Sequence, residues 1–306
     1  MRMPKLLQPR PTTVTSSVPI LRVCTAGSSF ERDGGGLQAT GGPVGSTSVD
    51  AAAVGSARYA PSGRRPDVAR SRRRKEQRVG EDVGAQPPLY ELAGRGPSEI
   101  ALEDERRAST WAELEERTNA FGHGLESLGA GPGQHVALIG TNRIEFYETV
   151  LGATRAGCVL SPLKTSWAPP AIRFVLDDAQ TRVVVTDVEA GRVAAREAGI
   201  PYVDLDDVEE WLGAQDRSSF PADRAGRRMS YTSGTTGRPK GIVRQGELPF
   251  VDHFAGGRSL PGDGAAIPRH GWHLMVSALF HGAPLTFSIA ILGLGVPLRI
   301  MARWEP

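Results

Sequence analysis

Chemistry is concentrated in one stretch, Tyr231-Thr232-Ser233-Gly234-Thr235-Thr236-Gly237-Arg238-Pro239-Lys240-Gly241. Glycines let a backbone approach a ligand closely and turn its N–H groups inward, which forms an anion-binding concavity. The hydroxyls of Thr232, Ser233, Thr235 and Thr236 add donors around Gly234 and Gly237. Lys240 brings a mobile positive charge suited to β- and γ-phosphates. Pro239 restricts the chain just before it. The chemistry indicated is the gripping of a polyphosphate. A plain hairpin loop would account for a bare Ser-Gly-Thr, but poorly for the whole run with its closing lysine. Two commoner phosphate motifs are excluded. The P-loop needs Gly-Lys-[Ser/Thr], but Pro239 stands before Lys240 and Gly241 after it. The dinucleotide fingerprint G-x-G-x-x-G does not occur.

The elements that must hold this loop can be read around it. Arg228 to Tyr231 predicts a strand, and Gly241 to Val243 a second, so the loop joins two strands. Upstream, strands are expected at 100–102, 135–139, 158–160, 183–185 and 201–205. Helices are expected between them. The first starts at a capping box, Thr110 with Glu113, and places Trp111, Leu114, Thr118, Phe121, Leu125 and Leu128 on one face. The second runs from about Arg143 to Arg155 with Phe146, Val150 and Leu151 on its apolar side. Others start at Pro169-Pro170 and run over 189–198. Alternation of strand and helix predicts an α/β fold with largely parallel sheets. Downstream, 283–298 reads as a buried helix running into a buried strand. The apolar strands 272–276 and 296–301 are expected to be poorly covered.

Composition bounds the rest. The chain has 306 residues, 40% hydrophobic and 23% charged, which permits a sizeable core. Its net charge of +2 names no partner, and no specific nucleic acid is expected. Residues 1–85 are rich in Gly, Ser, Pro, Thr and Arg and have few large apolar residues; a disordered basic tail is expected there. Its cluster Arg72-Arg73-Arg74-Lys75 could bind nucleic acid or anionic lipid, but a solvated tail, or a start codon placed too far upstream, is the favoured reading. Cys24 and Cys158 cannot build a disulfide framework, which favours a reducing compartment and a cytoplasmic location. No uninterrupted apolar run is long enough for a transmembrane segment. His270 and His273 have a spacing seen at metal sites, but no third ligand joins them, and no metal site is assigned.

The run Thr232 to Gly241 closely resembles the signature loop of the adenylate-forming (AMP-binding) superfamily, of acyl-CoA synthetase type. Four further stretches are similar to family landmarks, in the right order. They are Thr110-Trp111-Ala112-Glu113-Leu114, Ala156-Gly157 with Ser161-Pro162-Leu163, Leu279-Phe280-His281-Gly282-Ala283-Pro284, and the segment from Ile300 to Pro306. The resemblance covers about 87–306 and implies a partial large N-terminal domain, with mostly parallel sheets and helices on both faces. It implies ATP-dependent activation of a small-molecule carboxylate, expected to be a fatty acid, to an acyl-adenylate and then an acyl-CoA. ATP, Mg2+ and coenzyme A follow as expected cofactors and substrates. Thr232, Ser233, Gly234, Thr235, Thr236, Gly237 and Lys240 would bind the ATP phosphates; His281 would border the acyl or thiol pocket, or else is a histidine at the core edge satisfied by a backbone carbonyl.

The later family landmarks find no match. These are the aromatic-Gly-x-[ST]-E segment, the ribose-binding Asp, the hinge and the C-terminal catalytic Lys. No catalytic residue is therefore assigned, and the domain is expected to be an incomplete one without the C-terminal domain. Two other readings remain open: a catalytically inactive fragment, and a binding protein that keeps the phosphate loop without turnover. Oligomeric state is not indicated.

Overall fold

Strand β3 (His135–Ile139) carries apolar side chains on both faces, as a strand buried between two helical layers must. Val136 and Leu138 enter one core cluster, Ala137 and Ile139 the other. The computed structural model of the chain describes residues 84–232, 239–243, 250–254 (of 253 only the backbone) and 268–303. The expected tail, with Cys24 and the Arg72 to Lys75 cluster, lies outside the described residues apart from Gly84 and Ala85. These two are bonded to the body: Ala85 bridges to Pro221, and the Ala222 N–H donates to the Gly84 carbonyl at 2.8 Å.

The elements follow in order: α1 (Leu89–Ala93), β1 (Ile100–Glu103), β2 (Ala108–Thr110), α2 (Trp111–Ser127), β3, α3 (Ile144–Arg155), β4 (Val159–Pro162) and α4 (Pro169–Asp178). Then come β5 (Val183–Thr186), α5 (Glu189–Ala198), β6 (Tyr202–Asp204), α6 (Val208–Gly213), β7 (Arg227–Thr232) and β8 (Lys240–Val243). The last are α7 (Phe250–Phe254), β9 (His273–Met275), α8 (Gly282–Gly293) and β10 (Leu298–Ile300). Six strands form one sheet in the order β6-β5-β3-β4-β7-β8, parallel except for the β7–β8 hairpin. A second sheet has the order β2-β1-β10-β9, parallel except for β1–β2. This is an α/β fold with mostly parallel sheets flanked by helices.

Local signals do what they promise. Thr110 Oγ1 accepts from the Glu113 N–H at 3.2 Å, and the Glu113 carboxylate accepts from the Thr110 N–H at 2.8 Å. Gly157, at φ +80°, lets the chain leave α3 and turn directly into β4.

Two expectations need correction. Helix α3 does not have one apolar side; all twelve of its residues are buried. It packs on α2 and reaches α8 through the Tyr147 hydroxyl, which donates to Ser288 Oγ at 2.8 Å. Its charges survive burial because arginines meet them. Glu145 pairs with Arg106, Arg107 and Arg143, and Glu148 with Arg107 and Arg117. The second correction concerns the late strands. Val296, Leu298 and Ile300 are covered, because β10 lies inside its sheet between β1 and β9. Only the 272–276 stretch matches the expectation: Trp272, Leu274 and Val276 are exposed at 41%, 47% and 36%.

Candidate functional site

The six-stranded sheet ends in the hairpin predicted around the phosphate loop. Its register pairs Thr232 with Lys240, Tyr231 with Gly241, Ser230 with Ile242 and Met229 with Val243. Thr232 and Lys240 therefore face each other at the last rung before the loop. Both are exposed. Among the described residues the Lys240 ammonium has no ion-pair partner. Ser233, Gly234, Thr235, Thr236 and Gly237 lie outside the described residues.

Side chains alternate along β7. Met229 and Tyr231 pack inward, against Val159 and Ala179. Arg228 and Ser230 face the opposite way and line a cleft of about 700 Å³. By the same alternation Thr232 falls on their face. The other walls are Pro162 at the end of β4 and the start of α8, from Phe280 to Phe287. Arg228 donates from Nη2 to Thr286 Oγ1 at 2.8 Å, and Thr286 in turn donates to the Gly282 carbonyl at 2.6 Å. Sequence reading placed Arg228 and Ser230 in a strand but not in a site. The signal that marks them is the apolar character of Met229 and Tyr231 on the other face.

His281 caps the N-terminus of α8 with an extended backbone, and its side chain makes no capping bond. Its ring is tilted on Phe280 at 4.3 Å between centroids. His281 is exposed, and its neighbours Phe280 and Gly282 line the cleft while it does not. His273 stands edge-on to Phe287 at 5.8 Å, and burial pushes its imidazole pKa down. Among the described residues no group of three or more His, Cys, Asp or Glu can hold a metal ion. The Cys158 thiol is buried, pushed up to about 12 by desolvation, and donates to the Ala130 carbonyl at 3.1 Å. It is a packing residue, not a nucleophile.

The arrangement is thus a hairpin with a free cation at its base, beside a cleft that is mostly apolar with one guanidinium. A family model described as AMP-binding enzyme matches residues 89–306. The chain belongs to that family. Among proteins similar to this AMP-binding chain is tyrocidine synthase 2 of Brevibacillus parabrevis, 32% identical over 165 residues, 53% of this chain and 4% of that one. Another is the fatty acid–[acyl-carrier-protein] ligase ScoC of Streptomyces coeruleorubidus, 30% identical over 155 residues, 48% of this chain and 30% of that one. Among solved structures, the N-terminal domain of FACL13 from Mycobacterium tuberculosis has the same fold, with a TM-score of 0.61 and 24% identity over 71% of this chain and 56% of that one. ATP-bound MatB from Rhodopseudomonas palustris also shares it, with a TM-score of 0.61 and 21% identity over 73% of this chain and 46% of that one. The chain therefore spans well under two thirds of the length of each of these relatives. No helix among the described residues is long and apolar enough to cross a membrane.

Proposed function

We propose that the chain takes part in ATP-dependent activation of a small-molecule carboxylate, binding the triphosphate at the 232–240 hairpin. The observation that carries this reading is the pairing of Thr232 with Lys240 at the open end of β7–β8, both exposed, with Thr232 two residues along β7 from Ser230 of the cleft wall. Lys240 offers a charge to the phosphates that nothing described in the protein already uses. Thr232 and the hydroxyls and amides of 233–237 would complete the cradle. The residue types fit a polyphosphate: two cations, Arg238 and Lys240, several hydroxyls and no carboxylate within the run. Magnesium, when bound, would neutralise phosphate oxygens further. The carboxylate attacks the α-phosphorus, forming an acyl-adenylate and releasing pyrophosphate. Charge held at the leaving group lowers the barrier to that transfer. Transfer of the acyl group to the thiol of coenzyme A follows, in the cytoplasm.

The apolar part of the cleft, with Phe280, Leu285 and Phe287, supports a fatty or other apolar acid. A second reading is favoured by Ser230 on the cleft wall: an acid with a polar tail, whose end would meet that hydroxyl. The fatty acid–[acyl-carrier-protein] ligase and the peptide-synthetase relatives lend support to each in turn. An inactive fragment and a binding protein without turnover are the rival outcomes. His281 is proposed at the cleft rim, where substitution would alter acid selectivity rather than ATP affinity.

The test is calorimetric titration of the full chain with Mg·ATP and Mg·pyrophosphate, beside release of pyrophosphate with acids of both kinds. Lys240→Ala is expected to weaken anion binding about tenfold, the loss of one charge-assisted contact, without moving the melting temperature. Binding without pyrophosphate release would favour the rival outcomes. Binding unchanged in Lys240→Ala would sink the hairpin assignment.

A further inference from the structure

The inward face of β7 carries one group that packing does not require. Tyr231 packs its ring against the core residues Val159 and Ala179, yet its hydroxyl reaches out and donates to Asp178 Oδ2 at 2.7 Å. Asp178 is the last residue of α4. The ring also lies across the partner strand. A Cβ built on Gly241 would meet Tyr231 Cζ at 3.0 Å and its oxygen at 3.1 Å, and would overlap the Met229 methyl. A side chain there would press on the ring and displace the end of Met229. One side chain therefore spans β7 and β8 and ties both to α4, a single residue before Thr232 and opposite the neighbour of Lys240.

We infer that Tyr231, anchored by Asp178 and seated on Gly241, is a positioning residue that fixes the direction in which the hairpin presents Thr232 and Lys240 to a phosphate ligand. This rests on the proposed phosphate role of the hairpin. Among the described residues the hairpin is an edge: every residue of β8 is exposed, so no described layer covers that strand. An edge hairpin without such a layer needs a tether to hold a fixed angle, and the tyrosine–aspartate bond is one between the hairpin and a helix. Desolvation and the neighbouring carboxylate both hold the phenol in its protonated, donating form.

The experiment uses the full chain with Tyr231→Phe, Asp178→Ala, Asp178→Asn and the double variant Tyr231→Phe/Asp178→Ala. Tyr231→Phe keeps the ring and its packing and loses only the bond. It should weaken Mg·pyrophosphate binding about fivefold through misplacement of Thr232 and Lys240, with only a small fall in melting temperature from the lost bond. Asp178→Ala should do the same and the double variant no more, while Asp178→Asn, which still accepts, should bind like the unaltered chain. Hydrogen exchange of the amides at 240–243, read without any ligand, should speed up in the first two and not in Asp178→Asn. Unchanged exchange and unchanged affinity in Tyr231→Phe would overturn the inference, as would additive losses in the double variant. If the unaltered chain binds no pyrophosphate, the phosphate role fails, and the exchange measurement alone decides the tether.

Discussion

Two regions of this molecule hold arginine or lysine beside polar partners and treat them in opposite ways. At the junction of α1, α2 and α3, Arg155 is fully buried and grips the Glu115 carboxylate with two nitrogens, each at 2.7 Å. It also donates to Asn119 Oδ1 at 2.7 Å and lies over the Phe250 ring. Glu115 accepts the Leu89 N–H as well, at 2.8 Å, and so fastens the first turn of α1. At the β7–β8 hairpin, Lys240 and Thr232 stand in solvent with their polar ends uncommitted among the described residues. Charge used for holding the fold is spent on internal partners. On the proposed reading, the charge at the hairpin is left open for a ligand, and an exposed charge of this kind contributes little to stability.

The sharpest way to break that contrast is Glu115→Gln. It leaves Arg155 buried with no counter-charge, and the cost of such an orphaned ion is about 3–5 kcal/mol. Urea unfolding should show it, and many preparations of the variant should be partly unfolded at 37 °C. A loss below about 1 kcal/mol would mean that water reaches the guanidinium, and the supposed difference between the two regions would shrink.

Acid supplies a second probe of the buried side. Burial is the largest single influence on Glu145 and opposes its ionisation, yet the bond from Arg143, a backbone N–H and the charges of Arg143 and Arg107 together outweigh it and hold the carboxyl at about 2, against 4.5 when free. A carboxylate with a lowered folded value stabilises fully above its unfolded value and loses that contribution as pH falls toward the folded one. The difference is worth on the order of 3 kcal/mol, lost between about pH 4.5 and pH 2. Urea midpoints from pH 7 to pH 3 should fall for the unaltered chain, and Glu145→Gln should flatten part of that slope. The hairpin side predicts no comparable slope from Lys240→Ala.

How much of this was legible beforehand follows the range of the interactions. The capping box at Thr110 and Glu113, the glycine stop at Gly157, and the valine run of β5 are local, and they appear where the sequence places them. The six-stranded sheet follows from them, because alternating strands and helices leave few arrangements. The paired arginines were not legible. Arg155 and Glu115 are 40 residues apart, and a glutamate inside a helix ordinarily reads as solvent-facing. For the same reason Glu145 and Glu148 hid the full burial of α3. Strand β2 has three residues, Ala108, Ser109 and Thr110, and gains its identity only by pairing with β1. At the site, the composition of the loop is what motivates the proposed phosphate role. The cleft did not announce itself, because Arg228 and Thr286 are brought together across 58 residues.

The smallest expected effect tests the open side of the comparison for apolar rather than charged surface. Along β9 the residues alternate. Met275 is buried, while Trp272, Leu274 and Val276 point outward, with Arg299 lying over the Trp272 ring at 4.7 Å. Leu274 is thus exposed on a strand that, among the described residues, ends its sheet. Exposed side chains of this kind add little to folding but favour association through the edge. Leu274→Ser should change stability by no more than about 0.5 kcal/mol, whereas its weight in self-association should be read from sedimentation as a shift toward the monomer. Met275→Ser, one residue along on the covered face, is the contrast and should destabilise without improving solubility. If Leu274→Ser instead costs as much as Met275→Ser, that outward face is covered in solution, and openness at β9 has a different origin from openness at Lys240.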